Sequence, residues 1–267
     1  MQLIAASKMQ RAQQMVRNGR DYAEKIQAVL SDLAALGTSA DSENENITPL
    51  LIQRPVKRQL MLLVTPDRGL AGALVGNLTR VAGHFVRDSE VPVSSITVGR
   101  KGERFVGRIG NDLKATFSVA DRPRLDDTVS ISRFVVNAYV NGEVDRVVMV
   151  YAQFINTAVQ KPVVKQILPV EPVVEEASDR STDYIFEPDP ATVLNTLVPR
   201  YVETQVYHSI LEAIASEHSA RMVAMRNATD NASELIEVLT LDLNKARQAQ
   251  ITGELLDIVG GVSAVEG

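Results

Sequence analysis

The sequence predicts an α/β protein: a Rossmann-like α/β domain whose chain ends are long helices paired as an antiparallel two-helix coiled coil. Three observations predict this. Residues Arg200–Thr252 run for 53 positions without glycine or proline. Both ends of the chain carry apolar or small residues at alternating three- and four-residue spacings, the heptad rule of a supercoiled helix rather than the 3.6-residue period of a lone surface helix. Between them, short β-branched runs alternate with helical patterns, as in a parallel sheet with covering helices.

The elements follow in order. Residues 1–36 read as one helix with the seam Met1, Ala5, Met9, Ala12, Val16, Gly19, Ala23, Ile26, Leu30, Leu33. Gly37 ends it, and the polar, acidic stretch to Pro49 (Asp41, Glu43, Glu45) is a loop. The α/β domain is placed at 53–190. Gln59–Val64 is an apolar strand closed by Thr65 and Pro66, and Leu70, Leu74, Leu78, Val81 and Phe85 then fall at helical spacing. Ser95–Val98 is a strand, Asp126 or Asp127 caps a helix running to Val140, and Val144–Tyr151 is strongly β-branched. Val163–Leu168 is a further strand, and Glu171–Asp183 an acidic loop. Pro188, Pro190 and Pro199 then punctuate the route into a final helix over 200–260.

That helix carries the seam Leu211, Ile214, His218, Met222, Met225, Ala228, Ala232, Leu235, Leu239, Leu243, Ala246, Ala249. The stretch from Arg200 to Thr252 alone is about 80 Å long at helical rise, more than one globular domain needs, which implies a mechanical or assembly purpose. Seams rich in alanine predict close, slender packing. If the middle domain returns the chain to its starting point, the pairing is antiparallel.

Composition narrows the function classes. The 267 residues are 45% apolar and 23% charged, an ordinary balance for a chain with a core. A net charge of −5 argues against general nucleic-acid binding. Without cysteine there is no disulfide, thiolate metal site or cysteine nucleophile, and the three histidines form no ligand pair. No run approaches membrane-spanning length and no signal-peptide pattern opens the chain. The expectation is an intracellular soluble protein, or one held at a membrane only through a partner.

Candidate chemistry is sparse. Thr65-Pro66-Asp67-Arg68-Gly69-Leu70-Ala71-Gly72 follows a strand where α/β folds often hold phosphates, yet it matches neither a P-loop nor a dinucleotide fingerprint. Gly99-Arg100-Lys101-Gly102 is basic and glycine-flanked. The plainer reading of both is a structural turn. His218 on the seam is either a proton-sensitive switch or simply a polar break in a coiled coil. Glu217 and Arg221 form an i, i+4 ion pair. Lys8, Arg11, Arg17, Arg20 and Lys25 make either a solvated face or an ionic surface for an acidic partner. With no triad or carboxylate dyad, the chain reads as non-catalytic, without a cofactor or small-molecule substrate. Two competing readings are a nucleotide- or phosphate-binding α/β enzyme with helical arms, cradling its ligand at Thr65–Gly72, and a homodimeric coiled-coil scaffold.

Several motifs together resemble one family. They are Leu3-Ile4-Ala5-Ala6-Ser7-Lys8-Met9-Gln10-Arg11-Ala12-Gln13, the Thr65–Gly72 turn with Asn77, Gly99–Gly102, and Tyr151-x-x-Phe154 with Leu168-Pro169. At the carboxyl end stand Glu217-His218-x-x-Arg221-Met222-x-Ala224-Met225, Ala228-Thr229-x-Asn231-Ala232, Asn244-Lys245-Ala246-Arg247-Gln248-Ala249-x-Ile251-Thr252 and Glu254–Gly261. Across essentially the whole chain these are similar to the gamma subunit of F-type ATP synthase, of bacterial type.

The resemblance implies a central-stalk rotor, whose terminal coil enters a ring of alternating alpha and beta subunits. Its α/β foot meets the c-subunit ring and the epsilon subunit, and the whole is held peripherally at the cytoplasmic side of the cell membrane. It couples proton-driven rotation of the c ring to ATP synthesis at the beta subunits. It implies beta-subunit contacts at Arg247, Gln248 and Thr252 and on the basic face at Lys8 and Arg11, and c-ring contacts at Tyr184 and Glu187. The family usually has cysteine where Ala71 stands, and the cysteine pair of chloroplast gamma subunits is missing. The family also carries about two dozen residues before the position of Met1. A truncated amino terminus is therefore expected, leaving the seam from about Met225 onward largely without its pairing helix and marginal alone.

Overall fold

The computed structural model describes residues 1–38, 48–171, 187 and 189–266. The chain divides into two units, Met1–Val223 and Ala224–Gly267. The strands of the first unit are β1 (Gln59–Val64), β2 (Val93–Val98), β3 (Asp112–Phe117), β4 (Arg146–Phe154) and β5 (Gln160–Leu168), in the sheet order β3-β2-β1-β4-β5. Its helices are α1 (Gln2–Thr38), α2 (Leu74–Asp88), α3 (Arg100–Ile109), α4 (Leu125–Val140) and the first part of α5 (Pro190–Glu266).

Central β1, Gln-Leu-Met-Leu-Leu-Val, is buried at all six positions, because a strand with parallel neighbours is covered on both faces. Leu60, Leu62 and Val64 share one core with Ile131, Val135 and Tyr139 of α4 and with Val198, Val202, Val206 and Ile210 of α5. Met61 and Leu63 turn to the other face, against Ala82 of α2 and Val106 of α3. The result is a three-layer sandwich with helices on both faces of the sheet.

Within this unit α1 runs antiparallel to α5. Leu30 joins the core that holds Val198 to Ile210, the His208 ring hydrogen-bonds the Gly19 carbonyl, and Lys8 lies beside His218 on one cavity. The seam residues Ala5, Met9, Ala12, Ile26, Leu30 and Leu33 are all buried. Gly19 permits the approach: a Cβ there would stand 2.1 Å from Cε1 of His208. Gly19→Ala is therefore expected to force the ring aside and lower stability by about 1–3 kcal/mol. Thermal unfolding of the chain checks this, and an unchanged midpoint would show that the ring swings away freely.

Three expectations needed correction, and one strand was unforeseen. The sheet is mixed rather than parallel, since β5 pairs antiparallel with β4. α5 begins at Pro190 and continues through Pro199, with Val198 and Val202 fully buried on either side of the proline. That core anchorage outweighs the one helical hydrogen bond Pro199 removes. Gly99–Gly102 is the start of α3 rather than a turn, and β3 beyond it was not foreseen. Of the two acidic loops, residues 39–47 and 172–183 lie outside the described residues, as does Tyr184.

The second unit is α5 from Ala224 onward. Every residue from 226 to 252 is exposed, including Leu235 at 59%, Leu239 at 58% and Leu243 at 68%.

Candidate functional site

The carboxyl ends of β1, β2 and β4 are where an open α/β sheet ordinarily presents a ligand site. Here they meet α1 and α5 of the first unit around a cavity of about 440 Å³. Apolar Val64, Leu74, Leu78, Ala152, Ile210 and Ile214 line its interior; Lys8, Asp67, Arg68, Arg100, Asp121, Glu217, His218 and Arg221 supply its charged and polar groups.

Most of those groups already have partners within the chain. The Arg100 backbone N–H donates to Oδ1 of Asp67 at 2.9 Å, and the Gly102 N–H to Oγ1 of Thr65 at 2.7 Å. Both are first-turn donors of α3, the groups an anion would need, and each is capped by the Thr65–Gly72 turn. Lys8 is ion-paired with Asp121, which holds the Asp121 carboxyl below its ordinary range. Arg221 donates to Oε1 of Glu217 at 2.6 Å and to the Gly69 carbonyl at 3.4 Å. Burial raises Glu217 against the pull of Arg221, and burial pushes His218 down to about 4, so the imidazole is neutral near pH 7. At that pH His218 is a buried neutral polar residue.

Two serines complete the junction. Ser216 Oγ donates to the Ala152 carbonyl at 2.9 Å and Ser219 Oγ to the Thr157 carbonyl at 2.7 Å, with both residues fully buried. Sequence reading passed over them, and over Asp121 as the partner of Lys8. Paired hydroxyls three apart in the alanine-rich run Ala215-Ser216-Glu217-His218-Ser219-Ala220 were the available signal, since such residues share a helix face.

The residues singled out for partner contact do not converge. Arg247, Gln248 and Thr252 are exposed in the second unit, within one arc of about 140° at 3.6 residues per turn. Arg11 is exposed on α1, whereas Lys8 is engaged with Asp121. Glu187 is exposed at a bend. Among the described residues, no three His, Asp or Glu gather as metal ligands, and no helix is long and apolar enough to cross a membrane.

Comparison with known proteins gives a consistent result. A family model described as ATP synthase matches residues 1–265. The ATP synthase gamma chain of Dehalococcoides mccartyi (strain ATCC BAA-2266 / KCTC 15142 / 195) is 54% identical over 266 residues, covering 99% of this chain and 92% of that relative. The ATP synthase gamma chain of Roseiflexus sp. (strain RS-1) is 46% identical over 272 residues, covering 99% and 91%. In fold, the chain is similar to one from the central stalk and c-ring structure of the Tetrahymena thermophila mitochondrial ATP synthase. That match has a TM-score of 0.66 and 22% identity, over 86% of this chain and 97% of that one. A chain of the Euglena gracilis mitochondrial ATP synthase matches with a TM-score of 0.60 and 18% identity, over 99% and 94%.

Proposed function

The chain belongs to the ATP synthase gamma chain family, and from that membership we propose that it is the central-stalk rotor of a proton-driven ATP synthase. In this reading it is a non-catalytic component of a membrane-bound complex, held peripherally on the cytoplasmic side. The α/β unit is the foot, beside the c ring and epsilon subunit, and the distal part of α5 works inside the ring of alpha and beta subunits.

One observation carries the reading. Residues 226–252 form a glycine- and proline-free helix that exposes Leu235, Ile236, Leu239, Leu241, Leu243 and Ile251 together. A single helix showing that much apolar surface is marginal in water and calls for a surrounding protein surface. A sleeve of subunits supplies it, and a helix without hinges suits a part that carries torque. The rival reading, a phosphate cradle at Thr65–Gly72, is not favoured: the family match spans the chain, and the turn's Thr65 and Asp67 side chains are already engaged with the Gly102 and Arg100 N–H groups.

Coupling requires contacts that differ between states of the beta subunits. Arg247, Gln248 and Thr252 offer five guanidinium donors, an amide and a hydroxyl on one arc, suited to polar contacts that break and re-form. Arg11 offers an exposed charge to acidic beta-subunit loops. Lys8 joins them only by leaving Asp121, so its contribution is conditional on that exchange. Tyr184 and Glu187 are proposed for the c-ring side.

Reconstitution tests the proposal. A complex lacking its gamma subunit should recover ATP-driven proton pumping when this chain is added, and failure of an incorporated chain to restore pumping would sink the rotor reading. The triple variant Arg247→Ala/Gln248→Ala/Thr252→Ala should incorporate normally and lose ATP synthesis about tenfold, as expected for loss of a contact cluster worth about 1.4 kcal/mol. Undiminished synthesis would remove those three residues from the proposal.

A further inference from the structure

The Thr65–Gly72 turn and the start of α3 at Gly99–Gly102 are tied to one another at the carboxyl edge of the sheet, and the turn is tied to α5. Their role follows from what α5 needs there. Its contacts with the sheet core through Val198, Val202, Val206 and Ile210 are apolar. Apolar contact resists separation but is non-directional, so by itself it does little against rolling; Gln205, Tyr207 and His208 add single bonds to Lys165, Pro123 and Gly19 along the helix. Hydrogen bonds are directional and resist rolling.

α5 makes such bonds near the end of the first unit, and they leave it on nearly opposite sides. At 3.6 residues per turn, Ser216 and Ser219 lie about 60° apart, and Arg221 projects about 170° from their mean. The serines reach Ala152 at the end of β4 and Thr157 in the turn before β5. Arg221, braced by Glu217, reaches Gly69 in the turn after β1. Rolling in either sense stretches one set. The Gly69 turn is itself bolted to α3, because Asp67 and Thr65 accept from the Arg100 and Gly102 N–H groups.

We propose that Ser216, Ser219 and Arg221 form an anti-roll clamp, through which torque passes from the foot into the shaft by way of the Ala152, Thr157 and Gly69 carbonyls. The inference rests on the rotor reading and assigns the Thr65–Gly72 turn its purpose as one jaw of the clamp.

The test uses the assembled complex, immobilised through its catalytic ring, with a bead on the rotor foot. Ser216→Ala/Ser219→Ala and Arg221→Gln are each expected to widen the angular variance at every dwell about twofold, as one side of the clamp is lost. Protons pumped per ATP hydrolysed should fall about threefold while hydrolysis continues. Ser216→Thr/Ser219→Thr keeps both hydroxyls and should restore the native variance, which a merely space-filling role for these positions would not predict. Native variance and pumping ratio in complexes carrying either disrupted variant overturn the clamp. A threonine variant as loose as the alanine one does the same. If the unaltered chain fails to turn the bead, the rotor reading fails; if it turns and the variants match it, only the clamp fails.

Discussion

Gly99→Ala is expected to leave the α/β unit unfolded at temperatures where the parent chain is folded, costing on the order of 4 kcal/mol or more. Gly99 joins β2 to α3 at φ +91°, a conformation that L residues with a Cβ avoid. Space is the greater obstacle. A Cβ would stand 2.0 Å from the Thr65 carbonyl oxygen and 3.0 Å from its carbon, and both are backbone atoms at the end of the central strand. They cannot retreat cheaply, because the Thr65 N–H donates to the Val98 carbonyl at 2.9 Å and Thr65 Oγ1 accepts from Gly102. Moving β1 away would also unseat Leu62 and Val64 from the main core. Circular dichroism melts of the full chain measure the effect. A midpoint within a few degrees of the parent would show that the two loops separate easily, contrary to this geometry. Gly110→Ala is the matched control: its φ of +68° carries the backbone cost, but nothing lies within 4 Å of its Cβ position. Its loss should be near 1–2 kcal/mol.

What was legible in the sequence divides along physical lines. The seams of α1 and of α5 as far as His218 could be read because helix pairing is a periodic property, and periodicity survives without knowledge of neighbours. β1 and β4 declared themselves by runs of Leu, Met and Val that only a doubly covered strand tolerates. β3 was hidden because it is an edge strand: Asp-Leu-Lys-Ala-Thr-Phe is largely exposed and carries two charges, as an edge that must avoid pairing with another chain should. The start of α3 was hidden by glycines that proved to serve close packing. A Cβ on Gly102 would meet Thr65 Oγ1 at 2.9 Å, so glycine is required inside this helix despite its poor propensity.

The second apolar face of α5 was missed for a different reason. Val198, Val202, Val206 and Ile210 recur every four residues, but they were masked by attention to the three-and-four seam beside them. A helix that packs on both a sheet and another helix carries two stripes, and a search for one stripe finds only one. The junction chemistry could not be read at all from spacing. Asp121, Ala152, Thr157 and Gly69 come to α1 and α5 from four separate loops or strand ends, and three of the four act through main-chain carbonyls that have no signature in the sequence. The residues proposed for partner contact are the reverse case. Arg247, Gln248 and Thr252 are marked only by family resemblance, and the isolated chain offers them no contact that would distinguish them from other exposed residues.

His218 supplies the second large effect, as a pH dependence. Its imidazole is 3% exposed, and burial depresses its pKa to about 4 from the ordinary 6.5. Arg221 and Lys8 push in the same direction, while Asp121 opposes them. Between pH 6.5 and 4 the unfolded chain therefore binds a proton that the folded chain refuses. Stability contributed by the neutral, buried ring is complete above about pH 6.5 and is lost as pH falls, levelling off below about pH 4, for a total of about 3 kcal/mol. His208, also depressed by burial, acts in the same sense. Glu217 acts oppositely, because its raised pKa makes the folded chain the better proton acceptor already above the ordinary carboxylate range. Asp121 is held low by Lys8, so its loss comes at still lower pH. Across the window from pH 7 to 5 the histidines lower stability as pH falls, and Glu217 works against them. Urea midpoints of the full chain should fall across that window, the share owed to His218 being equivalent to about 2 kcal/mol. His218→Gln, which keeps a polar side chain of similar reach but cannot titrate, should retain only the shallower dependence set by His208 and Glu217. Equal slopes for parent and variant would mean that His218 opens to water before it protonates, and that the junction of α1 and α5 is looser than its packing indicates.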